Sequence, residues 1–279
     1  LKKNHMKIKI LIDWNENQQI DKGLIKGIKT FYPNTKTKAY QGFIISYHLN
    51  FYLLPSILEE KNNTIADEIN VMGESLQKYL LRFNKNKIIR SAPSFRFSHI
   101  LNHKFNRVNN SSNIILVALP ISLKESIYIL NKLNDIFYQI RKYKIILRFH
   151  PLLDSINVLN KITLKFNYKI SKNPLIYDLI NSFQLISNTS SICLESIVLG
   201  KPVLIISRKS KIIANPIPKF VLKRMYKIIF DGDEIINYTN KNYNLSEDNQ
   251  LKNISYGKKV RDQILTPVNK KNVHQLLFK

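Results

Sequence analysis

Residues 144–151, KIILRFHP, and 183–207, FQLISNTSSICLESIVLGKPVLIIS, decide how this chain folds. The first is a short apolar run suited to a strand buried on both faces of a parallel sheet. It is stopped by His150-Pro151, because proline has no amide donor for a central strand and biases the residue before it away from helix. The second stretch repeats the pattern. FQLIS predicts a strand, Asn188-Thr189-Ser190-Ser191 a hydroxyl-rich turn, and SICLESIVLG a helix closed by Gly200 at C′. PVLIIS predicts the next strand. Both polar loops therefore follow the carboxyl ends of strands, the edge where open parallel sheets bind ligands.

Each polar group has a chemical reading and a plainer one. Backbone N–H groups at the start of the 190s helix, with the hydroxyls of Thr189, Ser190 and Ser191, would cradle a phosphate; one of them could equally be an ordinary N-cap. His150 suits a general acid, since imidazole is the side chain that changes charge nearest neutral pH, or a loop hydrogen bond. Glu195, a turn into the helix, suits ribose hydroxyls or solvent, and Arg148 adds positive potential beside His150.

Around this stretch, ILVALP (115–120) predicts the strand that opens the second half of the chain, 122–142 a helix, and MYKIIF (225–230) a late strand. From 233 to 279 the pattern is helical, with breaks expected near Gly257 and Pro267. In the first half, MKIKILI (6–12) predicts a strand, Asp13 to Gln18 a polar loop, and Gln19 to Phe31 an amphipathic helix. TKTKAYQGF, DEINVMG and KIIR predict further strands, with a helix over SLQKYLLRF; the aromatic ISYHLNFYLLP (45–55) predicts a loop or short helix. NHKFNRVNNSSN (102–113) is polar and nearly free of aliphatic side chains, as a linker would be. The expected organisation is an α/β domain over 1–101, the linker 102–113, and an α/β domain with C-terminal helices over 114–279.

With 279 residues the chain can build two modest domains. A net charge of +25 would suit nucleic acid or an anionic membrane surface. The lysines are dispersed, however, without a basic arm or an interleaving of aromatic and basic residues, so no specific nucleic-acid partner is expected. Attraction to acidic headgroups fits better. The lone Cys193 allows no internal disulfide and sits where a small buried residue is wanted. No apolar run reaches the length of a membrane span. Asp231-Gly232-Asp233 has the spacing of a metal-binding DxD, but turn and cap chemistry between strand and helix explains it better. His99 and His103 have helical spacing, yet Ile100 stands where a zinc-protease motif needs Glu. No metal site is expected.

RFHP followed by SNTSSICLESIVLGKPVLI resembles the nucleotide-binding half of bacterial surface-carbohydrate and capsule glycosyltransferases of GT-B fold, related to Kdo and sialic-acid transferases with an HP motif and a serine-rich motif. WNENQ, SAPSFRF, ILVALPIS and ANPIP fit the same resemblance, which runs from about residue 10 to 230. It implies two Rossmann-like domains facing a cleft, the first incomplete at its N-terminus, and a metal-independent cytoplasmic enzyme resting on the inner face of the membrane. Its substrates would be a nucleotide-sugar donor, CMP-linked if it follows the Kdo and sialic-acid transferases, and a polysaccharide or lipid-linked acceptor. It needs no cofactor. Glu16, with Asp13 as second choice, would take the acceptor proton; His150 would assist the leaving phosphate. Thr189, Ser190, Ser191, Glu195 and Arg148 would hold the donor. The alternatives are a teichoic-acid-type polyol-phosphate transferase, a sugar-nucleotide epimerase, a basic nucleic-acid-binding protein and an inactive truncated remnant.

Overall fold

The chain alternates strand and helix almost throughout, and its strands sort into two parallel sheets. The computed structural model describes residues 7–44, 53–54, 56–82, 84–103, 112–137, 142–188, 190–209, 215–230 and 232–279. The expectations for 45–52, for most of the linker, for Thr189 and for Asp231 lie outside these residues. Backbone contacts divide the chain into one unit of residues 1–103 and 261–279 and another of residues 104–260.

The first unit is built on β1 (Ile10–Trp14), β2 (Lys36–Gln41), β3 (Glu68–Val71) and β4 (Ile88–Ser91), paired side by side in that order and all parallel. Helices α1 (Gln19–Phe31), α2 (Ile57–Lys61), α3 (Glu74–Leu81) and α4 (Ser98–Leu101) connect them. The α1 bounds are those expected from its periodicity. β1 runs two residues further than expected, so Asp13 and Trp14 belong to the strand and not to the loop. Parallel register sets Trp14 beside Tyr40, and their rings meet edge to face at 5.7 Å.

Residues 261–279 join this unit, whereas the sequence assigns them to the domain that precedes them in the chain. The reason is hydrogen bonding. Thr266 N–H donates to Met72 O at 2.6 Å, and the fully buried Lys38 donates to Leu276 O at 2.7 Å. Leu276 also packs with Tyr40 and Ala92. Lys38 faces the equally buried Glu68 across 3.9 Å, and burial still pulls its pKa below the usual lysine value.

The second unit is a six-stranded parallel sheet of β5 (Ile114–Ala118), β6 (Lys144–Arg148), β7 (Tyr168–Ile170), β8 (Gln184–Ser187), β9 (Val203–Ile206) and β10 (Tyr226–Ile229), in the order β10-β9-β8-β5-β6-β7. β8 and β9 are buried along their whole length, as their unbroken apolar runs require. One face packs Ile115, Val117, Leu147 and Ile186 against Ile129, Leu130 and Leu133 of α5 (Leu123–Phe137). α6 (Ser155–Leu159), α7 (Leu175–Asn181), α8 (Ile192–Val198) and α9 (Gly232–Tyr243) complete the connections, followed by α10 (Glu247–Ile264) and, in the first unit, α11 (Lys270–Phe278).

α10 runs straight through Gly257, where a break was expected. A Cβ there would meet Ile197 O at 2.6 Å and Gly200 N at 2.8 Å. The glycine is therefore a close helix-to-helix approach, tolerated inside α10 because nothing larger fits.

Candidate functional site

The strand order of the second unit reverses between β8 and β5: the chain leaves β5 towards β6 and β7, but leaves β8 towards β9 and β10. The connections after these two neighbours run in opposite directions from the carboxyl edge of the sheet, the place where ligands bind in open α/β folds. Ser187 Oγ donates to Ala118 O at 2.8 Å, stitching the two strand ends together. Asn188 Nδ2 donates to Glu125 Oε2 at 3.2 Å, tying the serine turn to the first turn of α5. The sequence singled out neither Asn188 nor Glu125.

Ser191 stands at the N-cap of α8, but its side chain makes no capping bond. Ser190 Oγ accepts only a 3.5 Å contact from Ile192 N–H. The capping explanation for these hydroxyls thus does not describe Ser191 and barely describes Ser190. The far end of α8 is closed as expected. Gly200, at φ 77°, donates to Ile197 O at 2.9 Å, and Lys201 N–H reaches Ser196 O at 3.0 Å, the paired bonds of a Schellman motif. Cys193 is wholly buried and its thiol is pushed up to about 12 by that burial, so it is a packing residue.

His150 follows β6 in a turn in which Leu153 N–H donates to His150 O at 2.8 Å, with Pro151 in the second position. Its Nδ1 accepts from Leu152 N–H at 3.2 Å. An accepting Nδ1 carries no proton, so the neutral ring bears its hydrogen on Nε2. The loop thereby fixes both the ring's orientation and the nitrogen that can donate.

Arg148, expected at the donor phosphate, is committed elsewhere. Its Nη1 lies 2.8 Å from Oδ2 of the fully buried Asp178 and donates to Asn173 O at 2.7 Å. Asp178 also accepts from Ser171 Oγ. Arg148, the last residue of β6, thereby holds the β7–α7 connection in place instead of reaching a donor. Glu195 is only 7% exposed, within α8, and is not simply solvated.

Arg208 lies just past the end of β9 at the same carboxyl edge, and sequence reasoning missed it. Its guanidinium carbon sits 4.1 Å from the centre of the Tyr128 ring, and Nη2 lies 3.7 Å from Glu125 Oε1. Its Nε is buried without a hydrogen-bond partner. The available signal was a cation one residue beyond PVLIIS, which strand-end placement makes relevant only once the switch point is known. Glu125 thus links Asn188 after β8 to Arg208 after β9.

In the first unit, Asp13 is the penultimate residue of β1 and Glu16 lies in the following loop. Asp21 Oδ2 accepts from Glu16 N–H at 3.0 Å and Gln18 N–H at 2.9 Å, which turns the chain into α1. Asn17 takes a left-handed φ of 56°, a conformation asparagine tolerates better than most residues. Glu16 accepts from Trp14 Nε1 at 3.2 Å and Gln18 Nε2 at 3.0 Å, one bond to each carboxylate oxygen. Asp13 differs: its Oδ2 is buried without a partner, and its pKa is raised, chiefly by burial and further by Asp21. Among the described residues no group of three or more His, Cys, Asp or Glu side chains is arranged to hold a metal ion. No helix among them is long and apolar enough to cross a membrane.

No protein-family model matches the chain, and no curated protein matches it. Solved structures do. HepE of Anabaena, solved with UDP-glucose, superimposes with a TM-score of 0.58 at 10% identity, covering 92% of this chain and 74% of HepE. MnaA of S. aureus, solved with UDP, gives 0.54 at 12% identity, covering 91% and 70%. With its two parallel α/β units, the chain has the GT-B type of fold that these structures share.

Proposed function

We propose that this chain is a sugar-nucleotide-using enzyme, and specifically a glycosyltransferase that passes a sugar to a surface polysaccharide or lipid-linked acceptor. The observation that carries the reading is the strand-order reversal at β8/β5. Beside it lies the serine turn, whose Asn188 is joined through Glu125 to Arg208, with the oriented His150 on the next strand but one. Such a set suits a phosphate-bearing donor. Ser190, Ser191 and the Arg208 guanidinium bind the phosphate oxygens, and Thr189 adds a further hydroxyl. Charge-assisted bonds of this kind are about twice as strong as neutral ones. Glu195 serves the ribose. HepE and MnaA were solved with UDP-glucose and UDP, which supports a uridine nucleotide ahead of the CMP-linked donor.

In the reaction, the acceptor oxygen attacks the anomeric carbon, and the bond from that carbon to the nucleotide phosphate breaks. The electron pair leaves with the phosphate oxygen, which His150 Nε2–H meets as a hydrogen-bond donor while Arg208 balances its charge. The acceptor's proton goes to a carboxylate of the first unit. Glu16 is the choice of the sequence; the unpartnered oxygen and raised pKa of Asp13 give it the stronger claim, since a more basic carboxylate is the better proton acceptor at neutral pH.

The test is a thermal-shift screen with CMP, CDP, UDP and GDP, in which a ligand selective for the folded state raises the melting temperature. One nucleotide should do so, and Ser190→Ala with Ser191→Ala should weaken it by about 1.5–3 kcal/mol per bond lost. No shift with any nucleotide would remove the proposal. Conversion of a UDP-sugar to its epimer without an acceptor would assign the same site to an epimerase instead.

A further inference from the structure

The second unit carries an exposed surface that the donor site does not use. Between Pro218 and Met225 the chain alternates: Val221 and Met225 are buried, while Phe220 and Leu222 are 41% and 46% exposed. The loop is held in this pose. Tyr256 Oη of α10 donates to Phe220 O at 3.2 Å and accepts from Leu222 N–H at 3.0 Å. Val221 N–H closes a turn onto Pro218 O at 3.0 Å. Two large apolar side chains are therefore presented to solvent by a pinned backbone.

Cations surround them. Lys219, Lys223 and Arg224 are exposed neighbours in sequence, and Lys223 and Arg224 also line an open cavity of about 580 Å³ with Lys227 and Lys241. Among the described residues no carboxylate lines that cavity. Lys227 is paired with Glu234 at 3.3 Å; Lys223 instead donates to Tyr226 Oη at 2.7 Å and lies 4.6 Å from that ring's centre, and Arg224 lies 5.6 Å over the ring of Tyr256. The patch sits where the chain enters the edge strand β10, at the amino edge of the sheet, whereas the donor site is at the carboxyl edge. Apolar side chains projecting among cations are what an anionic bilayer surface accepts: the headgroups pair with the charges, and the boundary of the acyl chains takes the side chains.

We propose that this face docks on an anionic lipid surface, with Phe220 and Leu222 entering between headgroups whose phosphates pair with Lys219, Lys223 and Arg224. The inference deepens the proposed function, since a lipid-linked acceptor is reached at such a surface, but lipid docking and donor binding are measured separately. A failed flotation leaves the nucleotide screen standing, and a failed screen leaves the flotation standing.

The experiment is flotation of the full chain with phosphatidylglycerol–phosphatidylethanolamine vesicles and with phosphatidylcholine vesicles. Binding is expected to the first only. Lys223→Ala with Arg224→Ala should lower partitioning about thirtyfold, at about fivefold per cation near the surface. Phe220→Ser with Leu222→Ser should lower it about tenfold through lost apolar contact. Leu222→Trp should show a blue-shifted emission on the anionic vesicles. No binding to anionic vesicles, an unmoved Leu222→Trp emission, or partitioning that ignores both double variants would overturn the proposal. So would a loss on removing the cations with none on removing Phe220 and Leu222, which would describe a general polyanion site such as one for RNA.

Discussion

Lys201 follows the glycine that ends α8 and lines a small cavity of about 40 Å³ with Phe183, Tyr243 and Asn253. Among the described residues no carboxylate lines this cavity, and burial pulls the ammonium down from 10.5 to about 8. In the unfolded chain the lysine keeps its ordinary value. Below pH 8 both states hold the proton, and the folded state carries the full cost of burying it. Between about 8 and 10.5 only the unfolded state holds the proton, so this group makes stability rise with pH across that window. At about 1.4 kcal/mol per pH unit the whole effect is on the order of 3 kcal/mol. Lys201→Met keeps the length of the chain and removes the charge. The variant is expected to be more stable than the parent at pH 7, by up to about 3 kcal/mol, with the gap closing towards pH 10. Urea denaturation followed by circular dichroism between pH 7 and 10 measures it. Tyr238, whose phenol burial pushes up, works in the opposite sense at the alkaline end, but it is common to both proteins and cancels in the difference. A gap that stays constant with pH, or a variant less stable than the parent at pH 7, would refute the reasoning.

Gly200→Ala should cost about 2–5 kcal/mol in a chemical melt, combining a left-handed φ with a Cβ set 2.6 Å from Ile254 Cα. Asp178→Ala should cost about 2–4 kcal/mol, somewhat below a fully buried pair because Arg148 keeps some solvent access; a loss under 1 kcal/mol in the same melt would contradict the role given to the pair. For turnover, Asp13→Asn is expected to lower kcat by about 10²–10⁴-fold with donor affinity kept. Glu16→Gln, which keeps an acceptor oxygen for only one of Trp14 and Gln18, should still have the smaller effect. Initial rates on the donor found in the nucleotide screen decide between the two, and the reverse order returns the base to Glu16.

Most of the scaffold is legible in the sequence because buried parallel strands are written as unbroken apolar runs. β6, β8 and β9 fall inside the expected stretches, β5 begins one residue before its own, and α1 and the Gly200 cap follow from periodicity and glycine placement. β7 escaped because its three residues, Tyr-Lys-Ile, are all exposed at the edge of the sheet and show neither alternation nor an apolar run. The early end placed on β1 has a similar cause: Asp13 and Trp14 look like loop residues until Tyr40 supplies a partner across the sheet. Gly257 was misread because local sequence cannot distinguish a helix break from a close approach to α8. At the candidate site, His150 and the serines were visible as polar residues after strands. Arg208, Asn188 and Glu125 were not, since their relevance comes from β8 lying beside β5, an adjacency between segments far apart in the chain.

The return of residues 261–279 to the first unit sets an order of events during synthesis. Residues 104–260 are continuous, so the second unit can close as soon as it has left the ribosome. The first unit is made earlier but finishes later. Until α11 emerges, Lys38 has no Leu276 carbonyl to donate to, and Tyr40 and Ala92 lack the side chain that covers them. A nascent chain paused before residue 261 would therefore hold a finished domain behind an open one, whose exposed sheet is the place a chaperone would be needed.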